Sequence, residues 1–374
     1  MNRIEYVLAA SLLRVVGWLA LVLPRHPRRV VIATARTTRL EGNLAFIHAA
    51  IRRLRPDVEC VLLLEPYGYG FGAKLRYAIR LVRGMVQLRT AGLVVVDNAW
   101  LPIHVAPHPG STTVVQVWHA VGALKRFGAD TTGGLVEPER TFLHRYYDHV
   151  VCAGESDRVP YAAALRTPVE RVLPLGAPRT DFFFDEAAMA AARERVLVAH
   201  PSLAGRTVVL CAPTFRGRGR ARTAAAHFDG AALRAGLPDE YILVLKSHPN
   251  LDPSLTPTTG FDVVAEPDSE INELLVAADV LVTDYSSSIF EWVLLRRPLV
   301  LIVADLDRYE ADPGLYLDYR TDMIGTQVRD AAAAAAAIRE RRFDPSGYDS
   351  FIARHLGASD GRASERFVGR FIPS

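Results

Sequence analysis

The chain has 374 residues, which at a typical ~150 residues per domain predicts two to three domains and enough length to bury two cores. Half of the residues are hydrophobic and 23% are charged, a balance that excludes a disordered, collagen-like or multi-span membrane chain. The 44 basic and 41 acidic side chains cancel to +3, so no nucleic-acid partner is expected.

The first element is an apolar stretch from Ile4 to Leu23, broken only by Glu5 and Arg14 and followed by Arg25, His26, Arg28 and Arg29. Its length just reaches the ~20 residues of a spanning helix. Arg14 would cost ~2.5 to 3.5 kcal/mol near a bilayer centre, so lying in the interface suits the segment better than spanning. No small-residue cleavage site follows Leu23, which disfavours a signal peptide. A core helix packed on the first domain is the competing reading. The basic cluster tips the balance towards a membrane surface, because such residues gain ~1 kcal/mol each near anionic headgroups.

Beyond Arg29, short Val- and Leu-rich runs alternate with amphipathic or Ala-rich segments, the pattern of buried parallel strands joined by helices. Strands are predicted at Val30 to Thr34, Val58 to Leu64, Leu93 to Asp97, Thr113 to Trp118, Val150 to Ala153 and Val172 to Leu175. A second series follows at Val208 to Pro213, Tyr241 to Lys246, Val263 to Glu266, Val280 to Thr283 and Leu299 to Val303. Ala187 to Ala199 and Ala331 to Ala337 read as helices, and Pro201 to Gly205 as a linker. The predicted fold is α/β with two Rossmann-like, doubly wound domains. Residues 1–28 form a membrane-associating helix, 29–200 the first domain and 201–374 the second. Cys60, Cys152 and Cys211 lie singly in strand-like runs, so neither disulfides nor a Cys metal cluster is expected and a reducing, cytoplasmic compartment fits.

Ligands of open α/β sheets bind at the carboxyl ends of strands, so the motifs placed there come first. Gln116-Val117-Trp118-His119 ends the fourth run, with Lys125 and Arg126 following. A His there suits a general base near neutral pH, although a structural His packed beside Trp118 would satisfy the same pattern. Cys211-Ala212-Pro213-Thr214-Phe215-Arg216 opens a loop continued by Arg218, Arg220 and Arg222. Arg216, fixed nearest the strand, is the better phosphate fork, and the rest reads as a solvated basic loop. Lys246-Ser247-His248-Pro249 offers two further cationic groups. Thr283-Asp284-Tyr285-Ser286-Ser287-Ser288 combines a strand end, a hydroxyl-rich turn and a helix start, an arrangement suited to an anion. Ser288 and Glu291 also fit a capping box. Asp305 to Tyr319 reads as a surface loop whose spacing matches no calcium site. Dinucleotide, Walker and nucleophile-elbow fingerprints do not occur in the sequence.

In this order, Trp118-His119, Gly176-Ala177-Pro178-Arg179-Thr180-Asp181, Ala212 to Arg216, Lys246 to Pro249, Thr283 to Ser287 and Asp305 to Tyr319 resemble the CDP-glycerol glycerophosphotransferase family of teichoic acid enzymes. The length is similar to that of its short members, the primases. The resemblance implies a GT-B arrangement of two domains facing a cleft, residues 29–200 serving the acceptor and 201–374 the CDP-linked donor. It implies His119 as the catalytic base and Arg216, Lys246, His248, Thr283, Asp284, Ser286 and Ser287 as donor-binding positions. The implied reaction moves glycerol phosphate, or a related alditol phosphate, from CDP-glycerol or another CDP-alditol to a lipid-linked saccharide. CMP is released, and the enzyme is peripheral at the cytoplasmic face of the cell membrane. No cofactor is required, and magnesium is compatible with the chemistry. Ala120 replaces the family's usual glycine after Trp-His, and Val121-Gly122-Ala123 its Pro-Leu. A GT-B glycosyltransferase or epimerase acting on a UDP-sugar, and an inactive membrane-associated scaffold, are the competing functions.

Overall fold

The computed structural model describes residues 3–66, 70–131, 143–217, 222–248 and 251–372. They divide into two compact units, residues 3–181 with 355–372, and residues 182–354.

In the first unit, helix α1 (Arg3–Leu19) precedes β1 (His26–Thr34), α2 (Gly42–Leu54), β2 (Glu59–Leu64), α3 (Phe71–Thr90) and β3 (Ala91–Val96). Then come α4 (Leu101–Val105), β4 (Thr113–Gln116), β5 (His149–Val151), α5 (Arg158–Leu165) and β6 (Val172–Leu173). The strands form one parallel sheet in the order β2-β1-β3-β4-β5-β6. Both faces are covered, which is why Val31, Ile32, Val94 and Val95 are fully buried and the runs read as continuously apolar.

The second unit contains α6 (Glu186–Ala199), β7 (Thr207–Ala212), α7 (Gly230–Gly236), β8 (Tyr241–Leu245), β9 (Val263–Val264), α8 (Ile271–Ala277), β10 (Val280–Thr283) and α9 (Ser288–Trp292). It continues with β11 (Leu299–Ile302), α10 (Leu306–Ala311), β12 (Thr326–Val328), α11 (Ala331–Arg339) and α12 (Tyr348–His355). Its sheet is again parallel, in the order β12-β11-β10-β7-β8-β9. All eleven predicted strands are present, and β12 is an addition. The helix read from the alanine run is α11, started by Asp330, whose carboxylate accepts from Ala333 N.

The predicted boundary at residue 200 moves. Helix α6 packs on α8, with Arg195 paired to Glu273, so it belongs to the second unit. The chain end returns to the first unit as α13 (Ala363–Phe371), which lies on α2. Asp181 fixes it there by accepting from Ala363 N and Ser364 N at 2.9 and 2.8 Å. Phe367, Val368 and Ile372 then join Ile32, Ile47 and Val95 in one core. Gly176 has φ +91° and would drive a Cβ to 2.4 Å from Ala358 O, so this close approach needs a glycine.

Helix α1 has two faces. Tyr6, Ala10, Leu13 and Ala20 are buried, and α1 packs against α3 and α4, where a Cβ at Gly17 would meet Met85 Sδ at 3.0 Å. Arg14 donates to Val105 O at 3.0 Å, so the packing accommodates the charge that disfavours a span. Ile4, Leu8, Leu12, Val15, Trp18 and Val22 are exposed on the other side. Two residues of the basic cluster after α1 also serve the fold. Arg25 donates to Ala91 O and Ser111 O, Arg29 pairs with Glu59, and β1 already begins at His26. Residues 3–28 are therefore built into the first unit.

Candidate functional site

Strands β1, β3 and β4 are neighbours, so the loops leaving Thr34, Val96 and Gln116 emerge together. Asp97 follows β3 and is buried, with its carboxylate 3.5 Å from Arg36 Nη1. Burial raises its pKa against the opposing pull of Arg36. His119 follows β4, and its Nδ1 lies 3.3 Å from the backbone oxygen of Asp97. A carbonyl oxygen only accepts, so Nδ1 carries the proton and Nε2 keeps the lone pair a base needs.

The imidazole rests on Trp118, with ring centres 4.4 Å apart, and the indole stacks on Phe127 at 4.6 Å on its other contact. The stretch after His119 is held from beneath. Tyr161 of α5 donates to Ala120 O at 3.2 Å, and Asp157 accepts from Ala123 N at 3.1 Å. Burial pushes the Asp157 carboxyl up to about 7, against hydrogen bonds from Ala123, Ala153 and Gly154. Arg179 reaches the same loop through Nη1, 3.4 Å from His119 O.

In the second unit, β7 and β10 are paired, and their ends build a charged cluster. Arg216 donates to Asp284 Oδ2 at 2.9 Å, to Asp305 Oδ2 at 2.6 Å and Oδ1 at 3.0 Å, and to Thr214 Oγ1 at 2.9 Å. Its guanidinium also lies over the rings of Tyr285 and Tyr309. Burial alone would lower the Arg216 pKa, but the two carboxylates raise it above the ordinary arginine value. Burial would likewise raise Asp305, and Arg216 overcomes it to hold that carboxyl below its usual range. His227 joins through Nε2, 3.3 Å from Arg216 Nη2, and burial followed by the Arg216 charge lowers its pKa.

The expected donor-binding residues differ in their surroundings. Arg216 is held between two carboxylates, with its side chain 12% exposed. Asp284 is fully buried and also accepts from Thr214 N and Oγ1, so it orders the strand ends. Thr283 is fully buried and donates to Ala212 O at 2.7 Å. Lys246 is buried with Nζ on the carbonyls of Ser247, Glu266 and Pro267, and burial lowers its pKa against Asp268 and Glu270. The Asp305 to Tyr319 stretch is no plain surface loop, because it contains α10 and buries Tyr309 and Tyr319.

His248, Ser286 and Ser287 stay half-buried. His248 lies edge-on to Phe215 at 4.7 Å and lines a pocket with Pro213, Thr214, Phe228, Leu245 and Ser247. Ser286 shares a 2.8 Å hydrogen bond with Ser288 and receives the Ser288 N–H at 3.3 Å. The capping box expected of Ser288 is not formed, since Ser287 is the residue before α9 and no side chain caps it. Pro249 and Arg218 to Arg220 lie outside the described residues. Asp97, His227 and the Arg179 contact escaped the sequence reading. Asp97 had a signal in its place at a strand end, whereas His227 sits in an irregular segment that carried none.

The chain is 32% identical over 367 residues to the teichoic acid poly(ribitol-phosphate) polymerase of Bacillus spizizenii, covering 94% of this chain and 57% of the polymerase, so it spans little more than half of that relative. It is 28% identical to the teichoic acid ribitol-phosphate primase of the same organism over 368 residues, covering 95% of this chain and 94% of the primase. The fold is similar to that of the wall teichoic acid polymerase TagF, solved as a His-to-Asn variant soaked with CDPG, with a TM-score of 0.75, 18% identity and coverage of 99% and 98%. The architecture is therefore α/β and GT-B-like. The match to the family described as CDP-Glycerol:Poly(glycerophosphate) glycerophosphotransferase runs over residues 17–372, through both units and every motif above, and the chain belongs to that family.

Proposed function

We propose that the protein transfers an alditol phosphate from a CDP-alditol to a hydroxyl of a lipid-linked saccharide, releasing CMP, in teichoic-acid-like polymer synthesis. The observation that carries the reading is the His119 imidazole at the end of β4, its Nδ1–H turned to Asp97 O so that Nε2 is the basic atom. Nε2 takes the acceptor hydroxyl proton, the oxygen forms a bond to the donor's β-phosphorus, and the phosphoanhydride bond breaks with its electron pair leaving on CMP. His248, Ser286 and Ser287 are the donor contacts, presented on a framework built by Arg216, Asp284, Thr283 and Lys246. Ribitol is the first alditol to test, because both relatives named above are ribitol-phosphate enzymes.

The acceptor's lipid implies work at the cytoplasmic face of the membrane, and the exposed face of α1 suits peripheral docking there. Trp18 is 71% and Val22 87% exposed, and Leu75 and Ile79 of α3 add further exposed apolar surface. Arg76 and Arg80 on the same helix share one carboxylate, Glu65, at 4.0 and 3.7 Å, which leaves a net positive charge beside this surface for anionic headgroups.

Purified protein incubated with CDP-ribitol or CDP-glycerol and a lipid-linked disaccharide should release CMP. Absence of CMP with either donor, together with turnover of a UDP-sugar, overturns the reading. Binding to anionic vesicles should be lost in a Trp18→Glu/Leu75→Glu variant that retains its fold. Unchanged binding removes the docking surface.

A further inference from the structure

We propose that Asn43 and Gln116 are positioning residues that set the aim and tautomer of His119. The inference rests on the reading of His119 as the base. Both amides are buried, Gln116 completely. Each donates both of its amide hydrogens and accepts one hydrogen bond, around the backbone that carries the imidazole. Asn43, in the first turn of α2, donates through Nδ2 to Val117 O at 3.2 Å and Trp118 O at 3.0 Å. Its Oδ1 accepts from Arg179 N at 3.0 Å, and Arg179 in turn reaches His119 O. Gln116 accepts from Trp118 N at 2.8 Å through Oε1 and donates through Nε2 to Asn98 O at 3.0 Å and Tyr147 Oη at 3.1 Å.

The backbone between these clamps is strained. Trp118 has φ +49°, the left-handed region that a bulky aromatic residue rarely enters, and such a conformation persists only where surrounding contacts over-determine it. The left-handed turn at Trp118 directs His119 back towards β3, where Nδ1 meets Asp97 O. It also sets the indole against the imidazole and against Phe127. Behind the turn, Tyr147 Oη lies 3.2 Å from His144 Nδ1, and burial lowers the His144 pKa to about 4. Neutral imidazole and phenol groups thus fill the space behind Gln116, so the support is a polar network without net charge. A buried primary amide left without partners is costly, and an apolar side chain would fill either position without that requirement. Two amides with every polar atom on the flanks of a strained His-bearing turn are accounted for by what they hold.

The test is NMR of histidine-labelled protein, with the His119 signals assigned by their loss in His119→Ala, alongside steady-state CMP release. Wild type is expected to show a single His119 tautomer protonated at Nδ1. In Asn43→Ala and Gln116→Ala the ring should sample both tautomers, with kcat lowered on the order of 10-fold to 100-fold and the donor KM within about twofold. In a His119→Ala background the same substitutions should cause no further loss. An unchanged His119 tautomer and kcat in folded variants, or losses that add to that of His119→Ala, overturn the proposal. If the alanine variants fail to fold, Asn43→Asp and Gln116→Glu keep the shape while replacing the N–H donors, and the same two readouts decide. The NMR result needs no substrate, so it stands apart from any failure of the wild-type protein to release CMP.

Discussion

Arg216 Nη2 donates to Asp284 Oδ2 at 2.9 Å, and the Asp284 side chain has no exposure to solvent. The two residues stand 68 positions apart and meet because β7 and β10 are paired in the second sheet. A buried carboxylate of this kind depends on its cation, since losing one partner leaves an uncompensated charge.

Arg216→Ala should therefore destabilise the protein by about 3 to 5 kcal/mol. Arg216→Lys should recover only part of the loss, because one ammonium cannot reproduce the fork that reaches Asp284, Asp305 and Thr214 together. Urea denaturation of both variants measures this, and near-wild-type stability of Arg216→Ala would contradict the structural role.

His119→Ala should lower kcat by about 10²- to 10⁴-fold, the usual contribution of a general base, while donor affinity and melting temperature stay close to wild type. Titration with a CDP-alditol in the absence of acceptor separates the two effects. A loss confined to donor affinity would move His119 out of the base role.

Ser286→Ala and Ser287→Ala should weaken donor binding by ~0.5 to 1.5 kcal/mol each, and His248→Ala by ~1.5 to 3 kcal/mol if the ring meets the donor charged. Ser286 already shares a hydrogen bond with Ser288, so its substitution should also disturb the start of α9, an effect that Ser287→Ala should lack. Isothermal titration with the donor tests the order, and equal affinity in all three variants would remove this donor site.

Asp157 gives stability a pH dependence whose sign follows from its burial. The carboxyl titrates near 7 in the folded protein against an ordinary value of 3.8. The folded state holds the proton through the range between those values while the unfolded state has released it, so this contribution is complete below about pH 4 and is lost as pH rises through 7. Asp157→Asn should flatten that dependence between pH 4 and 7. Denaturation midpoints across this range provide the check, and identical slopes in the two proteins would refute it.

Most of the architecture was legible because its causes are local. Runs such as Val30 to Thr34 and Val280 to Thr283 are apolar throughout because parallel strands are covered on both faces, and that composition shows without knowledge of the partners. Strand β12 escaped because Thr326, Gln327 and Val328 are only half-buried at a sheet edge and make no apolar run. The order of the motifs at strand ends identified the family, since each strand-end loop carries its own short signature. The domain boundary was not legible, because the contacts from Asp181 to Ala363 and Ser364 are made across more than 180 positions.

The same separation governs the site. His119 and His248 could be picked out as candidates from residue type and place at a strand end. Whether Arg216 faces a phosphate or two carboxylates, and whether Asn43 touches anything near His119, depended on strand order and on atoms brought in from 68 to 136 positions away. Local sequence determined which groups were available at each strand end. Only the tertiary structure decided which were committed to one another, because a hydrogen bond is satisfied by proximity in space, and the pairing of the sheets sets that proximity.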